Sequence, residues 1–364
     1  MAETLRVGII GATGMVGQNY IRLLSNHPRF KITHLAASER SAGKTYREAA
    51  GGRWQMTVPI PDKIKDMRVA DVRNIEKAAE NCDFIFSAVS LGKNEIRELE
   101  QEYARAEIPV VSNNSAHRTT PWVPMIIPEV NPEHLKLIPL QQEKMGWKTG
   151  FIVTKPNCSI QGYMLALAAL RARGFYMEAL HVSNYQALSG SGYPGVSALD
   201  VTDNIYHLPG EEEKNEWEPK KIFGTVTKGV IKDSSDISIS ASCVRVGVSE
   251  GHMSNVSVLF RGGKPKKEQL LEAFRTFRGL PQELGLPSAP LPPLVYLDDE
   301  NAPQPKRDRW TGDGMAAAVG RMRECPVFHW KFTSLTSNTV RGAAGGAVLT
   351  AELLAAKGYI NKSI

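Results

Sequence analysis

The 364-residue chain is short of cysteine, of aromatic residues and of long apolar runs. Its four cysteines, Cys82, Cys158, Cys243 and Cys325, lie far apart, with no C-x-x-C pair and no histidine at metal-ligand spacing. That argues against a disulfide framework and a structural zinc site, and we expect no metal. No uninterrupted apolar stretch reaches the roughly 18 to 20 residues needed to cross a bilayer. The most apolar late stretch, Gly342 to Ala356, is shorter and carries Glu352. The opening MAETLRVGIIG has an acid near the start and runs at once into a strand, unlike a signal peptide. These absences predict a soluble, cytoplasmic protein with no membrane partner.

Hydrophobic residues make up 42% of the chain, enough for a sizeable core, and the length suits two domains. Forty-four Lys and Arg against 38 Asp and Glu give a formal charge of +6. The basic residues are mostly interleaved with acids. The densest groups, Lys264, Lys266 and Lys267, then Lys306, Arg307 and Arg309, read as solvated clusters. The excess points to small anionic ligands and not to nucleic acid.

The first half alternates short apolar strands with amphipathic helices. Strands are expected at Arg6 to Gly11, Ile32 to Ala37, Asp83 to Val89 and Pro109 to Asn113, with helical spacing from Gln18 to His27. This is the pattern of a parallel, right-handedly wound α/β sheet. After a strand at Phe151 to Thr154, a long helix is predicted from about Ser159 to Arg173. Period-two strands follow at His181 to Leu188, Asp236 to Ser249 and Asn255 to Arg261. They mark a mainly antiparallel sheet with one covered face, hence a second α+β domain. Pro281 to Pro305 holds seven prolines and reads as a surface excursion or interface arm. A small-residue helix is expected from about Ala343 to Ala356.

Gly11-Ala12-Thr13-Gly14-Met15-Val16-Gly17 ends the first strand and opens a helix. Backbone N–H groups at such a turn can face a pyrophosphate, and side chains there would block its approach. The spacing G-x-x-G-x-x-G is a variant of the usual dinucleotide fingerprint. The second strand ends in Ala37-Ser38-Glu39-Arg40-Ser41. Glu39 would suit the ribose hydroxyl of NAD, whereas Ser38, Arg40 and Ser41 suit the 2′-phosphate of NADP; we expect NADP, with Glu39 turned outward.

Lys155-Pro156-Asn157-Cys158-Ser159 joins a strand to the long helix. Cys158 is therefore expected at a helix N-terminus, where partial positive charge favours a thiolate and makes it a candidate nucleophile. With a nicotinamide cofactor, such a thiolate implies a thiohemiacetal and a thioester linked by hydride transfer. An acid/base partner is then needed. Among eight histidines, His27 and His134 read as surface residues, while His252 sits at a turn between strands, facing a cleft. Arg245, seven positions earlier, can hold a substrate carboxylate in bidentate fashion.

GATGMVG, PNCS, YQALSGSG and CVRVGVSEGH together closely resemble the aspartate-semialdehyde dehydrogenase family, its archaeal and fungal branch above all. The resemblance runs from Val7 to about Ala356. It implies NADPH-dependent reduction of L-aspartyl 4-phosphate to L-aspartate 4-semialdehyde and phosphate, on the pathway toward lysine, methionine and threonine. It implies Cys158 as nucleophile, His252 as acid/base and Gln186 as the glutamine that orients the substrate. Arg245 would hold the α-carboxylate and Glu211 the amino group, with the neighbouring glutamates as competitors. Arg118, Asn157 and Lys214 would hold the phosphate. Thr13, Gly14, Met15, Val16, Ser38, Arg40, Ser41, Ser189, Gly190 and Asn338 would contact NADP. The resemblance further implies an NADP-binding domain of residues 1–157, rejoined by a C-terminal helix of 342–364. A catalytic domain of 158–341 would build a homodimer or homotetramer. Two rivals remain: an acyl-CoA reductase of the malonyl-CoA type on the same scaffold, and a non-catalytic NADP sensor.

Overall fold

The computed structural model of the chain describes residues 4–362; residues 1–3 and 363–364, at the ends of the expected nucleotide domain, lie outside the described residues. Six strands, β1 (Leu5–Ile10), β2 (Phe30–Ala37), β3 (Val69–Asp71), β4 (Phe84–Ser87), β5 (Val110–Ser112) and β6 (Ile152–Thr154), form one sheet in the order β3-β2-β1-β4-β5-β6. All its pairings are parallel. Val7 and Ile9 of β1 enter one apolar core while Ile10 and Ile85 enter another on the opposite face. Burial on both faces is why these strands read as continuous apolar runs. Strand order reverses between β1 and β4, which leaves a crevice beyond their carboxyl ends. Helix α1 (Met15–Leu24) begins in that crevice, three residues before the expected start, because the glycine loop itself opens the helix. Helix α2 (Lys93–Arg105) lines the other face through Leu99 and Tyr103.

Helix α3 (Gln161–Ala172) starts the second half, and all ten residues from Gln161 to Leu170 are buried. It packs on a seven-stranded sheet of β7 (Met177–Gln186), β8 (Tyr206–His207), β11 (Ser238–Arg245), β12 (His252–Phe260), β13 (Leu294–Leu297), β14 (Ala317–Glu324) and β15 (Trp330–Thr336). Their order is β13-β14-β15-β12-β7-β11-β8. A separate hairpin comprises β9 (Thr225–Thr227) and β10 (Val230–Lys232), and helix α4 (Pro209–Ile222) precedes it.

The sheet is mixed. β12 pairs antiparallel with both β7 and β15, but β11 runs parallel to β7 and sets Arg245 beside Gln186. Period two reports one covered face and says nothing of direction; the excursion through α4 returns the chain to the end of the sheet where β7 began. The proline-rich segment also contributes structure: Leu294–Leu297, free of proline, pairs in parallel with β14 at the sheet edge, and Leu294 enters the core.

After a turn of π-helix at Val340–Ala344, helix α5 (Gly345–Ala356) packs into the first domain's core beside Tyr20 and Ile21 of α1. Two histidines expected at the surface lie inside. His27 donates or accepts at Nε2 with the fully buried carboxylate of Glu352 at 2.7 Å, and its own side chain is 4% exposed. His134 is fully buried and bonds the Gly224 carbonyl at 2.9 Å. Each also has a local partner, the Arg29 and Phe30 N–H groups on His27 Nδ1 and Asn131 Nδ2 on His134 Nδ1, but the distant partners that bury them are not visible in the sequence.

Candidate active site

The crevice holds an open cleft of about 300 Å³ lined by Gly11, Thr13, Gly14, Met15, Ser38 and Arg40, among others. Gly11 has φ +81° and a Cβ there would lie 2.3 Å from the Ala88 carbonyl oxygen. A Cβ on Gly17 would lie 2.3 Å from the Gly11 oxygen, so the helix and loop meet only because both are glycine. Gly14 has no such neighbour; its bare face belongs to the cleft. A loop packed tightly from behind and open in front fits a pyrophosphate at the start of α1.

Glu39 is exposed and does not line the cleft, whereas Ser38 and Arg40 do. Arg53 joins them from a loop that sequence patterning did not single out. Two guanidinium groups at the second strand's end suit a 2′-phosphate. Ser41 departs from expectation: it ends the short 3-10 turn Glu39–Ser41, is buried, and points its N–H at the Ser38 carbonyl, 2.8 Å away.

A second cleft of about 250 Å³ shares Met15 with the first and is lined also by Val16, Asn113, Arg118, Lys155, Asn157, Cys158, Ser189, Gly190, Asn338 and Gly342. Val16, Ser189, Gly190 and Asn338 thus line the second cleft and not the one at the glycine loop. Asn338 ties that junction together, donating to Ser189 Oγ at 2.9 Å and accepting from Gly251 N at 2.9 Å.

Cys158 Sγ lies 3.4 Å from His252 Nε2. The His252 Nδ1 accepts the Ala187 backbone N–H at 3.0 Å. A backbone N–H only donates, so Nδ1 is bare and the ring proton sits on Nε2, aimed at sulfur. Burial, then the nearby Arg245 charge, pulls the imidazole pKa down to about 3, so the ring is neutral at physiological pH. The thiol is not the ready thiolate that its position suggested. Cys158 precedes the first residue of α3 by three positions, and burial, reinforced by Glu211, raises its pKa despite Lys155, Arg118 and Arg245. A Cβ on Gly190 would fall 2.8 Å from Arg245 Nη1 and 3.1 Å from His252 Nε2, so glycine lets these two groups pack against the backbone that lines the cleft.

Glu211, in the first turn of α4, organises the floor. Its Oε2 accepts from Asn157 Nδ2 at 2.8 Å and from Gln186 Nε2 at 3.2 Å, while Lys214 sits on Oε1 at 2.5 Å. Burial alone would raise its pKa, but Lys214, Asn157 and Gln186 outweigh that and hold it low. Arg245 gives Nη1 to the Ala187 carbonyl at 2.7 Å and keeps Nε without a partner, leaving one edge of the guanidinium open. Asn157 is spent on structure: its Oδ1 accepts from Ser159 N and Oγ at 2.9 and 2.8 Å, and its own N–H goes to Glu218 Oε2 at 2.6 Å. Lys214, engaged by Glu211, does not line the cleft.

Glu218 was not singled out from the sequence. Fully buried, it also accepts Arg118 Nη1 at 3.0 Å. Its signal was available, because Glu211, Lys214 and Glu218 at i, i+3 and i+7 share one face of a helix.

The family description "Semialdehyde dehydrogenase, NAD binding domain" matches residues 6–138, and "Semialdehyde dehydrogenase, dimerisation domain" matches residues 167–341. Aspartate-semialdehyde dehydrogenase of Methanothermobacter thermautotrophicus is 44% identical, covering 96% of this chain and 99% of its own. The chain belongs to the aspartate-semialdehyde dehydrogenase family. The crystal structure of the Candida albicans aspartate-semialdehyde dehydrogenase with NADP superposes with a TM-score of 0.89 at 37% identity, covering 98% of this chain and all of that one. A malonyl CoA reductase (NADP) of Metallosphaera sedula is 38% identical over 100% of both chains.

Proposed function

We propose that the protein reduces L-aspartyl 4-phosphate to L-aspartate 4-semialdehyde with NADPH, releasing phosphate, on the way to lysine, methionine and threonine. The observation that carries this reading is the Cys158–His252 pair, 3.4 Å apart, beside a cleft that shares Met15 with the cleft at the glycine loop. NADPH, held by the glycine loop with Ser38, Arg40 and Arg53, supplies the hydride. The chain's own residues do the rest.

Arg245 receives the α-carboxylate on its open edge, with Glu211 facing the α-ammonium and Gln186 steadying both. Cys158 releases its proton to solvent through the cleft, favoured by the positive charge of Lys155, Arg118 and Arg245, and the Nε2–H of His252 meets the thiolate. Sulfur attacks the C4 carbonyl, the acyl–phosphate bond breaks, and phosphate leaves with the electron pair. The resulting thioester accepts hydride at carbon. His252 Nε2–H then stabilises the oxyanion of the thiohemiacetal, whose collapse returns the thiolate and frees the aldehyde. In this geometry the imidazole acts as a donor; it becomes a base only if the Ala187 contact opens.

The reading extends to self-association through the second domain, as a homodimer or homotetramer. Its support is the dimerisation-domain match and the half-exposed face of β12 bearing Asn255 and Ser257. Sedimentation of the purified protein distinguishes one, two and four copies.

The activity test is oxidation of aspartate semialdehyde by NADP, followed as NADPH absorbance, with inorganic phosphate present or omitted. Phosphate-dependent turnover is expected. Turnover that requires CoA instead supports an acyl-CoA reductase, and none with either supports a sensor.

A further inference from the structure

His252 is the first residue of β12 and pairs with Thr336, the last of β15. Beyond that pair the backbone ladder ends, and the two segments that leave it carry the reactive geometry. One, Val248 to Gly251, delivers His252. The other, Ser337 to Gly342, backs the nucleophile: a Cβ on Gly342 would fall 2.9 Å from Cys158 Cβ. Side chains take over the pairing where the ladder stops.

Glu250 makes most of that tie. Its Oε1 accepts from Ser337 Oγ at 2.9 Å and from Thr339 Oγ1. Ser337 Oγ accepts in turn from Val340 N at 3.1 Å, where the π-helical turn begins, and the Ser337 carbonyl accepts from Gly342 N at 2.9 Å. Between the two hydroxyls, Asn338 Oδ1 takes the Gly251 N–H. One carboxylate thus joins the residue two before His252 to the turn that presses on Cys158. Glu250 is half-buried and lines neither cleft, so it acts through other residues. Two cations face it from packed elements. Arg309 donates Nη1 to Ser249 Oγ at 3.2 Å and to the Glu250 carbonyl at 3.3 Å. Arg22, in the last turn of α1, has its pKa lowered by burial, and the Glu250 charge works against that.

We propose that Glu250 is a positioning residue for the Cys158–His252 pair: by clasping Ser337 and Thr339 it holds the imidazole against the sulfur. This rests on the cysteine–histidine chemistry above. The carboxylate serves as an acceptor, so an amide oxygen in its place serves as well. Losing both bonds lets the two strand ends part, and a misplacement of about 1 Å costs about a hundredfold in rate.

The test compares wild type, Glu250→Ala, Glu250→Gln and Thr339→Val in steady-state oxidation of aspartate semialdehyde by NADP and phosphate. In E250A, kcat is expected to fall about ten- to a hundredfold with each KM within about twofold, and E250Q should return to within about threefold of wild type. Should E250A not fold, T339V removes one donor and keeps the carboxylate, and a fall in kcat of about three- to tenfold at constant KM is read the same way. A second readout needs no turnover: the pH dependence of Cys158 alkylation by iodoacetamide, followed on the Cys158 peptide by mass. A loosened Nε2–H contact should move the midpoint up in E250A by about half a unit to one unit, whereas deleting a negative charge alone would move it down. Wild-type kcat in E250A and T339V, equal losses in E250A and E250Q, or a midpoint that stays or falls in E250A overturns the proposal. Full wild-type turnover after alkylation of Cys158 overturns instead the cysteine–histidine reading itself.

Discussion

The two clefts that meet at Met15 are made of different materials. The nucleotide side is backbone and exposed side chain: a glycine loop packed against its own strand, with Arg40 and Arg53 in solvent. The catalytic side is a knot of buried charge, in which Glu211, Glu218, Arg118, Lys155 and Arg245 are each hydrogen-bonded to other parts of the site. Affinity and stability are therefore separable on the first side and entangled on the second.

The largest expected effect tests whether the knot serves one sulfur. Cys158→Ser should lower turnover at least about a thousandfold while NADP binding, measured by fluorescence titration, survives. A variant at wild-type rate would remove the nucleophile from the scheme. Next, Glu218→Ala should cost about 3 to 5 kcal/mol in urea unfolding, because it strands the buried Arg118 and the Asn157 N–H together. A loss under 1 kcal/mol would mean the knot is not structural.

Acid should loosen both sides. His252 titrates near 3, and His34 and His117 near 4, each lowered chiefly by burial from an ordinary value of 6.5. The unfolded chain thus binds protons that the fold refuses. Stability is whole above pH 6.5 and falls as pH drops toward 4, by at most about 1.4 kcal/mol per unit for each ring. Unfolding midpoints that stay flat between pH 7 and 5 would contradict this. The smallest change belongs to the nucleotide side: Arg40→Ala or Arg53→Ala should weaken NADP about tenfold, leave NAD unaffected and leave the unfolding midpoint in place. A stability loss there would erase the contrast between the clefts.

The same division governs what could be read from sequence. Glycines 11, 14 and 17 announce themselves because backbone constraints are local, and the parallel sheet follows from short apolar strands between helices. Cys158 and His252 were recognisable from their motifs, and the structure brings them together across 94 residues. Ser41, expected beside Ser38 and Arg40, is buried at the end of a 3-10 turn that the polar run did not signal. Lys214 pairs with Glu211 three residues away, a contact that the EEEK run left open among three glutamates. Glu218 shares a helix face with Glu211 and Lys214, but its burial against Arg118 is not encoded in that spacing. The direction of β11 was likewise a property of the long link before it, not of its own residues.

The carboxyl-terminal helix adds a consequence for synthesis. Ala347, Val348 and Leu354 complete an apolar core whose other members, such as Val7, Ile9 and Tyr20, are translated at the very beginning. Domains commonly settle one after another as they emerge from the ribosome. Here the segment made first must hold an open apolar groove until the last stretch of chain arrives to plug it.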